Sequence, residues 1–136
     1  MNIYFGGSIA GGRMYLVTYQ KIVAYLKSLG HQVLTEHVVK PDVLEWEMNF
    51  TPQHIYQRDI DWLMKCDAVV AEVSNPSLGV GYEICFALRI NKPVLCLFRE
   101  GIFLSKMLTG NTSEGITVRE YKSDSDWKDA IDGFLE

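Results

Sequence analysis

The stretch Ala68-Val69-Val70-Ala71-Glu72-Val73-Ser74-Asn75-Pro76-Ser77-Leu78-Gly79-Val80-Gly81-Tyr82-Glu83 decides the fold. Ala68 to Val73 has strand length and is closed by turn-forming residues. From Ser77 to Leu88 the chain reads as a helix that is apolar on almost every side. Working outward, Ile3 to Phe5 and Pro93 to Phe98 are further short apolar runs. Tyr15, Tyr19, Ile22, Leu26 and Leu29 recur every three or four residues, which places them on one helical face ended by Gly30. His31 to Thr35 reads as a second strand, Ile116 to Tyr121 as a later one, and Ser125 to Leu135 as a closing amphipathic helix. Thr51-Pro52 starts a helix that should run to about Lys65, with Thr51 as N-cap and Pro52 in the first helical position.

Strands that alternate with helices form a parallel sheet covered on both faces, because each parallel connection needs a crossover. The expected architecture is α/β: one domain over residues 1–136 with a doubly wound, five-stranded parallel sheet, Rossmann- or flavodoxin-like, in the order 2-1-3-4-5. Ligands of such sheets bind beyond the carboxyl ends of the strands, where the strand order reverses. The loops after Phe5, Thr35, Val73 and Phe98 are therefore the ones to inspect. Glu36 to Asn49 is the one long irregular stretch, read either as a lid or as a solvated connection.

Composition narrows the partners. The 13 Lys+Arg against 17 Asp+Glu give a charge of −4 with no basic run, so polymeric nucleic acid is not expected as a partner. Arg89, Asn91, Lys92 and Pro93 interrupt the longest apolar candidate for a membrane span, and the opening Met1-Asn2-Ile3-Tyr4-Phe5 lacks the pattern of a signal peptide. A cytoplasmic or nuclear protein without membrane contact is expected. Cys66, Cys85 and Cys96 sit among apolar neighbours, show no metal-ligand spacing and read as buried free thiols. Neither a metal nor a cofactor is expected.

Two carboxylates stand out. On the helix after Thr51, Ile55, Tyr56, Ile60, Trp62, Leu63 and Cys66 share one arc, and Gln57, Arg58, Asp61 and Lys65 the other. Asp59 falls inside the apolar arc, where an ionised carboxylate must gain a partner or a raised pKa. It is either a structural acid satisfied by backbone donors or a general acid. Glu83 is the only acid of its helix and is expected in the first turn, where helix-end donors favour its anionic form and suit a nucleophile. The alternative is a plain dipole interaction. A raised-pKa acid beside an ionised nucleophile is the pair used in glycosyl transfer. Gly6-Gly7-Ser8-Ile9-Ala10-Gly11-Gly12-Arg13 forms a glycine-rich loop whose amides, Ser8 hydroxyl and Arg13 suit an anion, although a tight turn also needs glycine.

Together with Leu34-Thr35-Glu36-His37-Val38, Val70-Ala71-Glu72-Val73, Pro76 to Glu83 and Leu95 to Arg99, these segments resemble the nucleoside 2-deoxyribosyltransferase superfamily over nearly the whole chain. The resemblance implies cleavage of the bond between base and sugar in a 2'-deoxynucleoside 5'-monophosphate, a small-molecule substrate. It makes Glu83 the nucleophile, Asp59 the acid near the base, and Tyr4 an aromatic hydroxyl close to both sugar and nucleophile. Gly7, Ser8, Ile9, Ser77 and Gly79 then surround phosphate and sugar, and His37 lines the base site. His31 and His54 are expected at the surface. The resemblance also implies a homodimer in which Ser105 reaches the neighbouring phosphate and Met107 lies near the base. Ala10 stands where relatives carry an Arg, which removes a phosphate contact. Transfer of the sugar to a second base, and a non-catalytic nucleotide sensor, are the competing functions.

Overall fold

The computed structural model describes residues 1–136. In chain order the elements are β1 (Asn2–Gly6), α1 (Leu16–Ser28), β2 (Gln32–Val33), a 3-10 turn (Glu36–Val39), α2 (Val43–Glu47), α3 (Pro52–Lys65), β3 (Ala68–Glu72), α4 (Leu78–Arg89), β4 (Val94–Arg99), α5 (Lys106–Thr109), β5 (Ile116–Tyr121) and α6 (Asp124–Leu135). All four strand pairings are parallel and the order is β2-β1-β3-β4-β5, as the alternation predicts. The order reverses between β1 and β3, where Ile3 pairs with Ala68 and Gly6 with Ala71.

Side chains alternate across the sheet and so build two cores. Ile3, Phe5, Val70, Leu95 and Leu97 pack with Tyr19, Ile22 and Leu26 of α1 and with Trp127 and Ile131 of α6. Tyr4, Val69, Ala71 and Cys96 pack on the other face with Leu63 of α3 and with Val80, Ile84 and Ala87 of α4. Each fully buried Ile or Leu contributes roughly 1.5–3 kcal/mol, so packing of these faces outweighs any single helix cap. No helix is long and apolar enough to cross a membrane.

Four expectations are corrected. Cys66 and Cys96 are buried as expected, but Cys85 is exposed on α4, whose helical turn carries it away from the sheet. The strand expected at His31 to Thr35 is only Gln32–Val33. Leu34 still donates its N–H to Ile3 O, but at the next step the Thr35 hydroxyl takes the place of main chain, accepting from Phe5 N–H at 2.9 Å and donating to Phe5 O at 2.7 Å. Leu29 lies outside α1 and is exposed, because the chain turns away into Gly30, whose φ of +88° suits glycine. The segment Glu36 to Asn49 is not irregular: it holds the 3-10 turn and α2, with His37, Val38 and Val43 buried.

Candidate functional site

The loops after β1 and β3 meet at the reversal of strand order. Thr51 and Ser77 cap α3 and α4 as side-chain acceptors from His54 N–H and Val80 N–H. Asn75, which sequence reading missed, donates to the Ser8 hydroxyl at 3.3 Å and to Gly11 O at 3.1 Å, tying the two loops together. A Cβ at Gly11 would stand 2.5 Å from Pro76 O, so the glycine there serves loop packing. Beneath, fully buried Glu72 accepts from Ser74 N–H, the Ser74 hydroxyl and the Tyr121 hydroxyl, which anchors the start of the loop leading to α4.

Gly7 and Ser8 are buried at the end of β1, with Ser8 N–H donated to the Tyr19 hydroxyl, and Ile9 is half-buried. Arg13 is placed differently from the expectation of an anion ligand. Its guanidinium donates to Ser8 O at 2.9 Å, Val38 O at 2.6 Å and Lys40 O at 2.9 Å, so it ties the glycine-rich loop to the 3-10 turn. Three main-chain carbonyls engage a fork that would otherwise face phosphate.

The two carboxylates do converge, one from α3 and one from α4, over the carboxyl end of β1. Glu83 Oε2 would be 3.5 Å from a Cβ at Gly6, and the neighbouring Tyr4 hydroxyl favours the anionic form of the same carboxyl group. Glu83 is the sixth residue of α4, in the second turn rather than the expected first. That removes it from the helix-end donors, and its pKa is not held down. Burial pushes it up to about 8, with Asp59 and Glu47 adding to the rise and Tyr4 and Arg58 opposing it. Burial also raises Asp59, against the pull of Arg58. The Tyr4 hydroxyl is itself held neutral by burial and by these two acids.

Arg58, placed on the solvent side by helical spacing, is only 12% exposed. It donates to Asp59 Oδ1, to Glu47 Oε1 at 3.1 Å and toward His37 Nε2 at 3.2 Å, and lies over the rings of Trp46 and Trp62. Because arginine only donates, His37 Nε2 must be the acceptor, and burial lowers the His37 pKa to about 4, so the ring is neutral. The 3.6 Å approach of His37 to Glu47 is therefore not an ion pair. His37 sits 5.4 Å from each of the two Trp rings, in an aromatic and charged cluster closed by α2. Arg58 Nη1 is buried with no partner in the protein, as is Arg13 Nε. His54 is exposed as expected and stacks on Phe50, whereas His31 is half-buried.

A cavity of about 700 Å³ opens on the flank of α4 toward β4. Ala10, Gly11, Ser77, Gly79, Ser105 and Met107 line it, but Tyr4, Asp59 and Glu83 do not. Ser105 caps α5, accepting from Met107 N–H, and Met107 is 82% exposed. The residues matched to phosphate thus fall into a group at the loops and a group along this cavity, with Ser77 and Gly79 at its α4 wall. No three His, Cys, Asp or Glu side chains converge as a metal site requires.

An open parallel sheet with acids gathered at the reversal of its strand order defines a doubly wound α/β protein whose ligand crevice lies at the carboxyl ends of β1 and β3. The family model described as nucleoside 2-deoxyribosyltransferase matches residues 3–118, and the chain belongs to that family. It is 47% identical to the 5-hydroxymethyl-dUMP N-hydrolase of Danio rerio, over 91% of this chain and 89% of the relative. A protein of Methanococcoides burtonii, with the provisional name 2'-deoxynucleoside 5'-phosphate N-hydrolase 1, is 44% identical over 88% of this chain and 98% of its own. Among solved structures, the CMP N-glycosidase of Clostridium botulinum superposes with a TM-score of 0.73 over 99% of this chain and all of its own, at 17% identity, a likeness of fold.

Proposed function

We propose that the protein hydrolyses the N-glycosidic bond of 2'-deoxynucleoside 5'-monophosphates, releasing a free base and 2-deoxyribose 5-phosphate. The observation that carries this reading is the convergence of Glu83 and Asp59, from separate helices, beside the Tyr4 hydroxyl. Glu83 attacks the sugar carbon as its bond to the base nitrogen breaks, and Asp59 gives its proton to the departing base. The positive charge that develops on the sugar favours the anionic form of Glu83 in the transition state, against the burial that favours its neutral form. Asp59 then takes a proton from water, whose oxygen displaces Glu83 from the sugar. Tyr4 donates to Glu83 and fixes its carboxylate. The names of the relatives that the chain matches over most of its length support the substrate class.

Phosphate is held by the loop of Gly7, Ser8 and Ile9 together with Ser77 and Gly79, without Arg13. The enzyme works in the cytoplasm as a homodimer, in which Ser105 completes the neighbouring site. The exposed apolar side chains Leu78 and Tyr82 on α4, with Phe103 and Met107, support this, because isolated chains seldom leave such a group uncovered.

Free base released from a panel of deoxynucleoside monophosphates, 5-hydroxymethyl-dUMP among them, is the test, with ribonucleotides, unphosphorylated deoxynucleosides and Glu83→Ala alongside. Release confined to deoxynucleotides and lost in Glu83→Ala is the expected result. The family model favours a second reading, sugar transfer. A new nucleotide formed when a second base is added would establish transfer, and binding without release would leave a sensor.

A further inference from the structure

We propose that Arg58 is the positioning residue of the acid: by donating to one oxygen of Asp59, it leaves the transferable proton on the other oxygen. The inference rests on the two-carboxylate reading above and adds to it the group that orients the proton. Arg58 Nε and Nη2 stand 3.0 and 2.9 Å from the same atom, Asp59 Oδ1. An oxygen that accepts a charge-assisted bond from Nε, with the charged Nη2 alongside, is the weaker site for a proton. No hydrogen bond from the protein reaches Oδ2, so the acidic proton resides there, free to meet a departing base.

The grip is held from α3 itself and from the segment before it. Trp46 of α2 and Trp62 of α3 lie 5.6 and 4.9 Å from the guanidinium, and Glu47 and neutral His37 take further bonds from Nη2. Arg58 thereby links the acid to the segment 36–50, although it faces solvent by helical spacing alone. The groups that face Asp59 are Arg58 of α3, Glu47 of α2, Glu83 of α4 and Tyr4 of β1. Arg58 is the one cation among them. Without it, both carboxyls hold their protons to higher pH, since its charge lowers Asp59 and Glu83 alike.

The test compares wild type, Arg58→Gln, Arg58→Lys and Asp59→Asn on two substrates, a deoxynucleotide and the 4-nitrophenyl glycoside of 2-deoxyribose 5-phosphate. The nitrophenol leaves without a proton and needs no acid. Arg58→Gln should slow kcat on the nucleotide by about tenfold or more and on the nitrophenyl substrate by less than about threefold, a small part of what acid catalysis supplies. Both limbs of its kcat/KM profile should move to higher pH. Adding Arg58→Gln to Asp59→Asn should leave the pH-independent maximum of kcat unchanged, because the acid through which it acts is gone. Arg58→Lys keeps the charge without the fork, so its profile should stay in place while the nucleotide alone is cleaved more slowly. This variant also carries the test if Arg58→Gln does not fold.

Equal losses on both substrates with unmoved limbs, or wild-type rates in both variants, would overturn the proposal. If Asp59→Asn is slow and Arg58 indifferent, the two-carboxylate mechanism stands and the positioning role falls. An Asp59→Asn protein as fast as wild type, or a wild type that releases no base, removes both.

Discussion

Burial carries the Glu83 carboxyl from an ordinary value of 4.5 up to about 8, which ties folding stability to pH through this one group. A raised acid binds its proton more tightly in the folded state than in the unfolded one. Stability is therefore greatest below about 4.5 and falls as pH rises toward 8. Glu83→Gln should melt at a temperature close to wild type at pH 4 and several degrees above it at pH 9; equal melting points at pH 9 would mean that Glu83 ionises freely in the fold. Tyr4→Phe removes the donor that opposes this rise, so the acid limb of kcat/KM should move further to the alkaline side. An unmoved limb would exclude Tyr4 as the carboxylate's partner. Asp59 was legible in the sequence because a helical wheel shows an acid on an apolar arc. Arg58 was not, because only Trp62 of its cover lies on the same helix, while Trp46, His37 and Glu47 come from separate elements and leave no mark on local periodicity. The ionisation of Glu83 was misread for a similar reason: distance from the helix end is local, whereas burial against β1 is tertiary.

At the scale of elements, glycines of equal appearance in the sequence do different work. Gly11 lies under Pro76 O, where an added Cβ would be 2.5 Å away, and neither backbone yields cheaply. Gly81, in α4, meets nothing within 4 Å and has no positive φ. Gly11→Ala should destabilise the fold by about 1–3 kcal/mol in a denaturant titration. Gly81→Ala should raise stability by up to about 1 kcal/mol, as alanine does inside a helix. If a ligand or second copy covers that surface, the same change lowers activity or weakens association despite the added stability. A Gly81→Ala protein that is both more stable and fully active would show the surface to be free. Helix α3 was readable to its ends because Thr51, Pro52 and the apolar spacing agree. Strand β2 was overread because the Thr35 hydroxyl substitutes for main chain, an exchange that a β-prone sequence does not announce.

For the whole molecule, strand order followed from alternation and crossover geometry, since only a few arrangements of a parallel sheet satisfy both. Association of copies had no such rule in the sequence. It is argued instead from surface: Leu78 is 97% and Phe103 93% exposed, both line one cavity with Met107, and Tyr82 lies one turn along α4 from Leu78. A two-fold contact places the same patch on both subunits, so one change there acts twice. Leu78→Asp should convert the dimer to monomer in sedimentation and reduce turnover with it; a monomeric wild type would remove the assembly from the reading. The contribution of Ser105 across the interface has a sharper test, because it requires two chains to build one site. Glu83→Ala and Ser105→Ala proteins should each be impaired alone. In a mixed dimer the subunit with Ser105→Ala keeps its own Glu83 and receives an intact Ser105 from its neighbour, which restores one complete site if Ser105 acts in trans. If Ser105 serves the cavity of its own chain, beside Ser77, both sites of the mixed dimer lack a member and mixing restores nothing. Recovery of nucleotide cleavage after the two proteins are unfolded and refolded together therefore separates the arrangements, with each protein refolded alone as the reference.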